Sequence, residues 1–148
     1  MRFPTENTEE FPTEVTEEFP AEDTAFFLSE DGTITDYVTG LMWQKSGSEN
    51  RMKYEKAEEY IRKLNQEKFA GYTDWHLPTV PEFMSLLEPN EKNGDLYIDP
   101  VFDKTQGWCW SSDKTPSSWE WYVNFIYGGV PELLAGNGSC YVRGVRSR

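Results

Sequence analysis

The chain of 148 residues has one histidine, His76, and two cysteines, Cys109 and Cys140. A lone histidine argues against a His-rich metal site and leaves any serine or cysteine nucleophile only one histidine as base. It is read as a structural residue beside Trp75 and Leu77. Two cysteines are too few for a disulfide framework. They leave two readings open: one bridge closing about 30 residues, worth roughly 3–4 kcal/mol in the chain-entropy model, or two buried free thiols. Basic residues are also scarce, with 14 Lys and Arg against 26 Asp and Glu, a net charge of −12. That balance argues against nucleic acid and against anionic membrane surfaces as partners. No run of 18 apolar residues is present, so no membrane insertion by a helix is expected. The opening residues lack an apolar core of signal-peptide type, so no signal peptide is expected either. A glycine-rich phosphate loop and a βαβ pattern are both missing.

Aromatic residues are abundant. Six Trp, eight Tyr and nine Phe make up 16% of the chain, enough to fill a core with few side chains. Residues 1–23 form an acidic octapeptide repeat, "FPTENTEE", "FPTEVTEE", "FPAED", which supplies −7 of the −12. Its charge, low hydropathy and prolines predict an extended or disordered arm. It serves as a spacer, or as a set of Phe anchors for a partner or a neighbouring copy. The domain is placed at residues 24–148. Asp31-Gly32 predicts a hairpin turn, Thr39-Gly40 a second turn, and Met42 and Trp43 core anchors. Tyr54, Ala57, Glu58, Ile61, Leu64 and Phe69 fit a helical stripe and predict a helix over 53–66. Thr79, Pro81 and Glu82 read as N-cap, first-turn proline and capping-box partner of a second helix that Pro89 ends. "GWCWSS", "WEWYVNFIYG" and "CYVRGVR" read as strands. The order predicts an α+β domain.

No catalytic constellation assembles from these residues. Glu88-Pro89-Asn90 matches a calcium-binding tripeptide of mannose-type lectins by composition. It ends a helix, however, and calcium would need several further oxygens. Asp95, Asp99 and Asp103 are equally compatible with turns. No metal or other cofactor is assigned. Among the aromatic residues, Trp43, Trp75, Trp110, Trp121 and Phe125 are read as structural. Loop segments 112–120 and 126–139 are read as the ligand-facing surface, with Asp113, Lys114, Trp119, Tyr127, Glu132 and Asn137 as candidate contacts.

Six motifs occur in fixed order: "DGTITDYVTGLMWQK", "GYTDWHLPTVPEFMSLL", "YIDPVF", "WCWSS", "WYVNF" and "YVRGVR". Together they resemble the Lcl C-terminal domain family, named for the end domain of a bacterial collagen-like adhesin, over residues 24–148. The resemblance implies a C-type-lectin-like fold related to formylglycine-generating enzymes. It has two helices on a mostly antiparallel mixed sheet and long loops in the C-terminal half. His76 stands where Arg is usual in the resembled group and Gly144 where Cys is frequent, and the paired catalytic cysteines of the enzymes are not reproduced. The expected function is a non-catalytic adhesion or binding module for a glycan or protein. The alternatives are a trimeric fibre or phage tip, including a retroelement-diversified receptor-binding protein, and an oxidoreductase. The resemblance favours an extracellular, cell-surface or particle location.

Overall fold

The computed structural model describes residues 25–117, 119–135 and 137–148. The repeat arm predicted over 1–23 lies outside them. The described chain is α+β, with two antiparallel sheets. The first sheet has the order β1 (Phe26–Leu28), β2 (Thr33–Asp36), β3 (Leu41–Gln44), β7 (Val145–Ser147). The second has the order β4 (Trp108–Lys114), β5 (Trp119–Asn124), β6 (Val130–Ala135). Helix α1 spans Tyr54–Gln66 and helix α2 spans Val80–Met84. The mixed sheet expected from the sequence is therefore two antiparallel sheets, and the one parallel pairing described is an isolated bridge between Cys109 and Tyr141.

The first hairpin turns where Asp-Gly predicts. Gly32 has φ +87°, in the left-handed region that favours glycine. Asp31 Oδ1 accepts from both Thr33 N and Thr33 Oγ1. All four residues of β2 are buried, because both faces of this sheet are covered. Ile34, Trp43 and Val145 join one core cluster with Phe83 of α2 and with Phe102. Met42, one residue from Trp43 and so on the other face, joins a second cluster with Ala57, Ile61 and Leu64 of α1.

The second sheet repeats this arrangement. Cys109 pairs with Val123 toward the α2 cluster, and Trp110 pairs with Tyr122 toward the α1 cluster. Tyr54 of α1 meets Trp110 edge-on at 5.4 Å, a favourable aromatic geometry. Of Trp121 and Phe125, both read as structural, only Phe125 is fully buried. Val123 and Phe125 are buried, but Trp121 is half-buried and Tyr122 packs inward on the opposite face. The cysteines are two free buried thiols, one in each cluster.

Helix α2 begins with the predicted capping box: Thr79 Oγ1 accepts from Glu82 N at 3.1 Å, and Glu82 Oε1 accepts from Thr79 N at 2.9 Å. It ends earlier than Pro89 implies, and single-turn hydrogen bonds carry the chain on to Leu87. Trp75 is held by Asn65, which bonds both its N–H and its carbonyl from the end of α1.

A buried arginine holds the last segment in place. The Arg143 guanidinium, in a residue 1% exposed, donates to the carbonyls of Gln44, Lys45 and Asp103 and to Gln106 Oε1. It also lies 5.0 Å over the Phe102 ring. Next to it, Gly144 N donates to Gln44 Oε1. A Cβ at Gly144 would press on Leu64 at 3.2 Å and on Gln44 and Trp75 at 3.4 Å, which gives a local reason for glycine at this position.

On the surface, Arg146 Nε donates to Asp74 Oδ1 at 2.6 Å and its guanidinium stacks on Tyr72 at 3.7 Å. That hydrogen bond holds the Asp74 carboxyl below its ordinary pKa. A depressed carboxylate contributes stability above its unfolded pKa and loses it as pH falls through the folded value. The pair's contribution is therefore flat near neutrality and disappears below about pH 4. Asp74→Asn is expected to remove that part of the acid dependence in urea titrations at stepped pH. An unchanged acid slope would show that this exposed pair contributes nothing.

Candidate functional site

The residues that face solvent in the C-terminal half are placed mainly by strands. The long loop expected over 126–139 is replaced in its centre by β6, an edge strand paired along its length with β5 from Val130↔Asn124 to Ala135↔Trp119. Segment 112–114 likewise belongs to β4. "VPELLA" combines a proline and a glutamate with leucines, so its own β-propensity is weak and pairing with β5 decides its conformation.

Strand alternation along β4 sends two adjacent candidates to opposite faces. Asp113 points to the α2 side, where Oδ2 accepts from Val80 N at 3.1 Å and so satisfies a free donor at the helix start. Lys114 points to the α1 side. Its Nζ bonds Glu58 Oε2 at 3.2 Å and lies 4.6 Å from the centre of the Tyr54 ring.

Lys53 and Asn137 line a groove of about 490 Å³ between the start of α1 and the far ends of β5 and β6, and Lys114 contacts two of its wall residues, Glu58 and Tyr54. Tyr54, Glu55 and Glu58 line it from the helix, and Glu120 and Ala135 from the sheet. Glu120 Oε1 is buried there without a hydrogen-bond partner. Burial pulls the Lys114 ammonium down, but the Glu58 hydrogen bond and the neighbouring Tyr54 and Glu120 outweigh it and hold its pKa above the ordinary value. Burial raises the Tyr54 phenol, with Lys114 opposing. The groove thus offers a fixed cation, several carboxylate acceptors and an amide.

The other four candidates do not join this groove. Glu132 accepts a very short hydrogen bond from Tyr122 Oη; burial, then this carboxylate, pushes the Tyr122 phenol up. Trp119 is 48% exposed on the α2 side of the sheet, and Tyr127 is 72% exposed on the 3-10 turn Phe125–Tyr127. Sequence reasoning missed the helix side of the groove. Tyr54 and Glu58 read as part of a helical stripe, and nothing local signals that Glu58 meets a lysine 56 residues later.

Neither thiol is poised for chemistry. Burial pushes Cys109 up to about 12 and raises Cys140 as well, so neither forms a thiolate near neutral pH. His76 Nε2 lies 3.4 Å from Glu82 Oε1, beside the capping box. Glu88 is paired with Lys92 at 3.0 Å, while Asp99 and Asp103 accept from backbone N–H groups two residues on. Among the described residues no group of three or more His, Cys, Asp or Glu is arranged to hold a metal ion. No helix among them is long and apolar enough to cross a membrane.

No curated protein matches the chain. A family model does match, over the stretch from β2 into β7 that carries both helices. Residues 32–146 match the Lcl C-terminal domain, and the chain belongs to that family.

Proposed function

We propose that the domain is a non-catalytic binding module with a C-type-lectin-like fold, which takes a glycan or a protein segment in the groove between α1 and the β4–β6 sheet. The observation that carries this reading is the convergence of Lys53, Glu58, Glu120 and Asn137 around that groove, with Lys114 paired to Glu58 at its wall. A cation, acceptor carboxylates and an amide side by side suit a ligand rich in hydroxyl or amide groups. The Glu120 oxygen without a partner favours a ligand that brings a donor. The raised thiol pKa values support binding rather than cysteine chemistry. Family membership makes a cell-surface or particle-borne setting the natural one for such a module.

The test is a glycan array and a pull-down with the full chain, with and without calcium, repeated with the double variant Lys114→Ala/Asn137→Ala. Both side chains are substantially exposed, so the melting temperature is expected to move by no more than a few degrees. Affinity for the ligand found is expected to fall about tenfold or more, the range for truncating contacts at a binding site. A ligand whose affinity the double variant leaves unchanged, or no ligand in either screen, would overturn the reading.

A further inference from the structure

The opposite face of the same sheet carries a second surface, independent of the groove. On the α2 side of β5 and β6, Trp119, Trp121, Pro131 and Leu133 share one face by strand alternation. Trp119 is 48% and Leu133 44% exposed. Val80 and Pro81, at the start of α2, close the side of an apolar depression of about 270 Å³ with Trp121 and Pro131. The one charged group in its lining, Asp113, already accepts a hydrogen bond from Val80 N. Contiguous exposed apolar surface of this kind marks an interaction site, and a trough lined by tryptophans and prolines suits an extended Pro-containing segment.

The chain contains such a segment. Phe-Pro occurs at 3–4, 11–12 and 19–20, at a period of eight, and nowhere else in the sequence. We propose that this apolar face is the docking site for the Phe-Pro repeats of the chain's own first 24 residues.

Reach supports an intramolecular contact. Phe26, in the first described strand, connects to Phe83 of α2 through ring contacts with Phe102 and Trp43 of 5.3, 6.4 and 5.8 Å. Val80 lies one turn further along α2, so the depression is within roughly 25 Å of Phe26. Six residues separate Pro20 from Phe26 and span at most about 20 Å, whereas the fourteen from Pro12 span up to about 50 Å. Phe11-Pro12 and Phe3-Pro4 therefore reach the site with slack. Tethering also supplies a millimolar effective concentration, so a contact too weak to form between separate molecules is populated within one chain. Electrostatics opposes the contact. Residues 1–23 carry −7 and the remainder −5 of the −12, and the attraction is apolar. Salt screens this repulsion and strengthens docking, the reverse of an ion-paired interaction.

The test compares proton–nitrogen NMR spectra of the full chain with those of Phe3→Ala/Phe11→Ala/Phe19→Ala, following the six tryptophan indole signals. The indoles of Trp119 and Trp121 are expected to move, while those of Trp43, Trp75, Trp108 and Trp110 stay. The difference between full chain and triple variant grows as salt is raised from about 0.05 to about 0.5 M, and it is independent of protein concentration. Leu133→Glu, an exposed change that leaves the tail intact, is expected to give the triple variant's Trp119 signal. Unmoved Trp119 and Trp121 signals, or shifts confined to the other indoles, would overturn the proposal. Shifts that grow with concentration alongside a doubled mass would overturn it too, by assigning the site to a second copy.

Discussion

Arg143→Met is expected to destabilise the domain by about 3–5 kcal/mol, the cost of breaking a buried, fully hydrogen-bonded charge site. Each acceptor of this guanidinium is neutral: three backbone carbonyls and the Gln106 amide. Removing the donors leaves them buried beside an apolar side chain, and each unpaired polar group costs about 1–3 kcal/mol. The three carbonyls belong to Gln44, Lys45 and Asp103, on the end of β3 and on the stretch that follows the Phe102 core. The arginine therefore joins three distant parts of the chain, and its loss loosens all three together. Arg143→Lys is expected to recover less than half of the loss. An ammonium carries three donors from one point and does not match a set arranged around a planar fork. Urea unfolding with an unchanged slope and a lowered midpoint is the readout. A midpoint at the wild-type value would show that the freed acceptors find other partners.

Trp43→Ala is expected to cost a comparable amount, about 3–5 kcal/mol, for a different reason. The residue is fully buried and packs on Phe83 at 5.8 Å and Phe102 at 6.4 Å, so alanine leaves a cavity between the first sheet and α2. Trp43→Phe separates volume from polarity. The Trp43 indole N–H is buried with no hydrogen-bond partner, and phenylalanine removes that unpaired donor while keeping a ring. Its expected cost is below about 1.5 kcal/mol, the range of near-isosteric core exchanges. A Trp43→Ala protein that melted like wild type would refute the role of this strand as the frame of the domain. A Trp43→Phe protein as unstable as the alanine variant would show that the indole N–H has a partner in solution.

What the sequence revealed depended on how local each signal was. The Asp31-Gly32 turn, the α1 stripe and the Thr79–Glu82 box are written within a few residues, and the structure contains all three. The ordered motifs carried the family. Strand β6 was hidden because its conformation follows from pairing with β5 and not from its own residues. The division of the candidate contacts between two faces was hidden as well. Asp113 and Lys114 were read as loop residues, and it is their place in β4 that turns them to opposite faces by strand alternation. Arg143 was read only as part of a closing strand motif, because its four acceptors come from positions 37 to 99 residues away.

The first sheet also determines how the domain can be wired into something larger. Phe26, Asp36, Leu41 and Ser147 stand in one row across it. The points where the chain enters β1 and leaves β7 are thus three strand spacings apart, roughly 15 Å. A short linker would bridge that gap, so a circular permutant joined there should keep the fold, and the domain could be spliced into a host loop without strain. Tension applied through both ends would peel the two outer strands away one hydrogen bond at a time rather than shear the sheet. A head held by one end alone would bear none of that load.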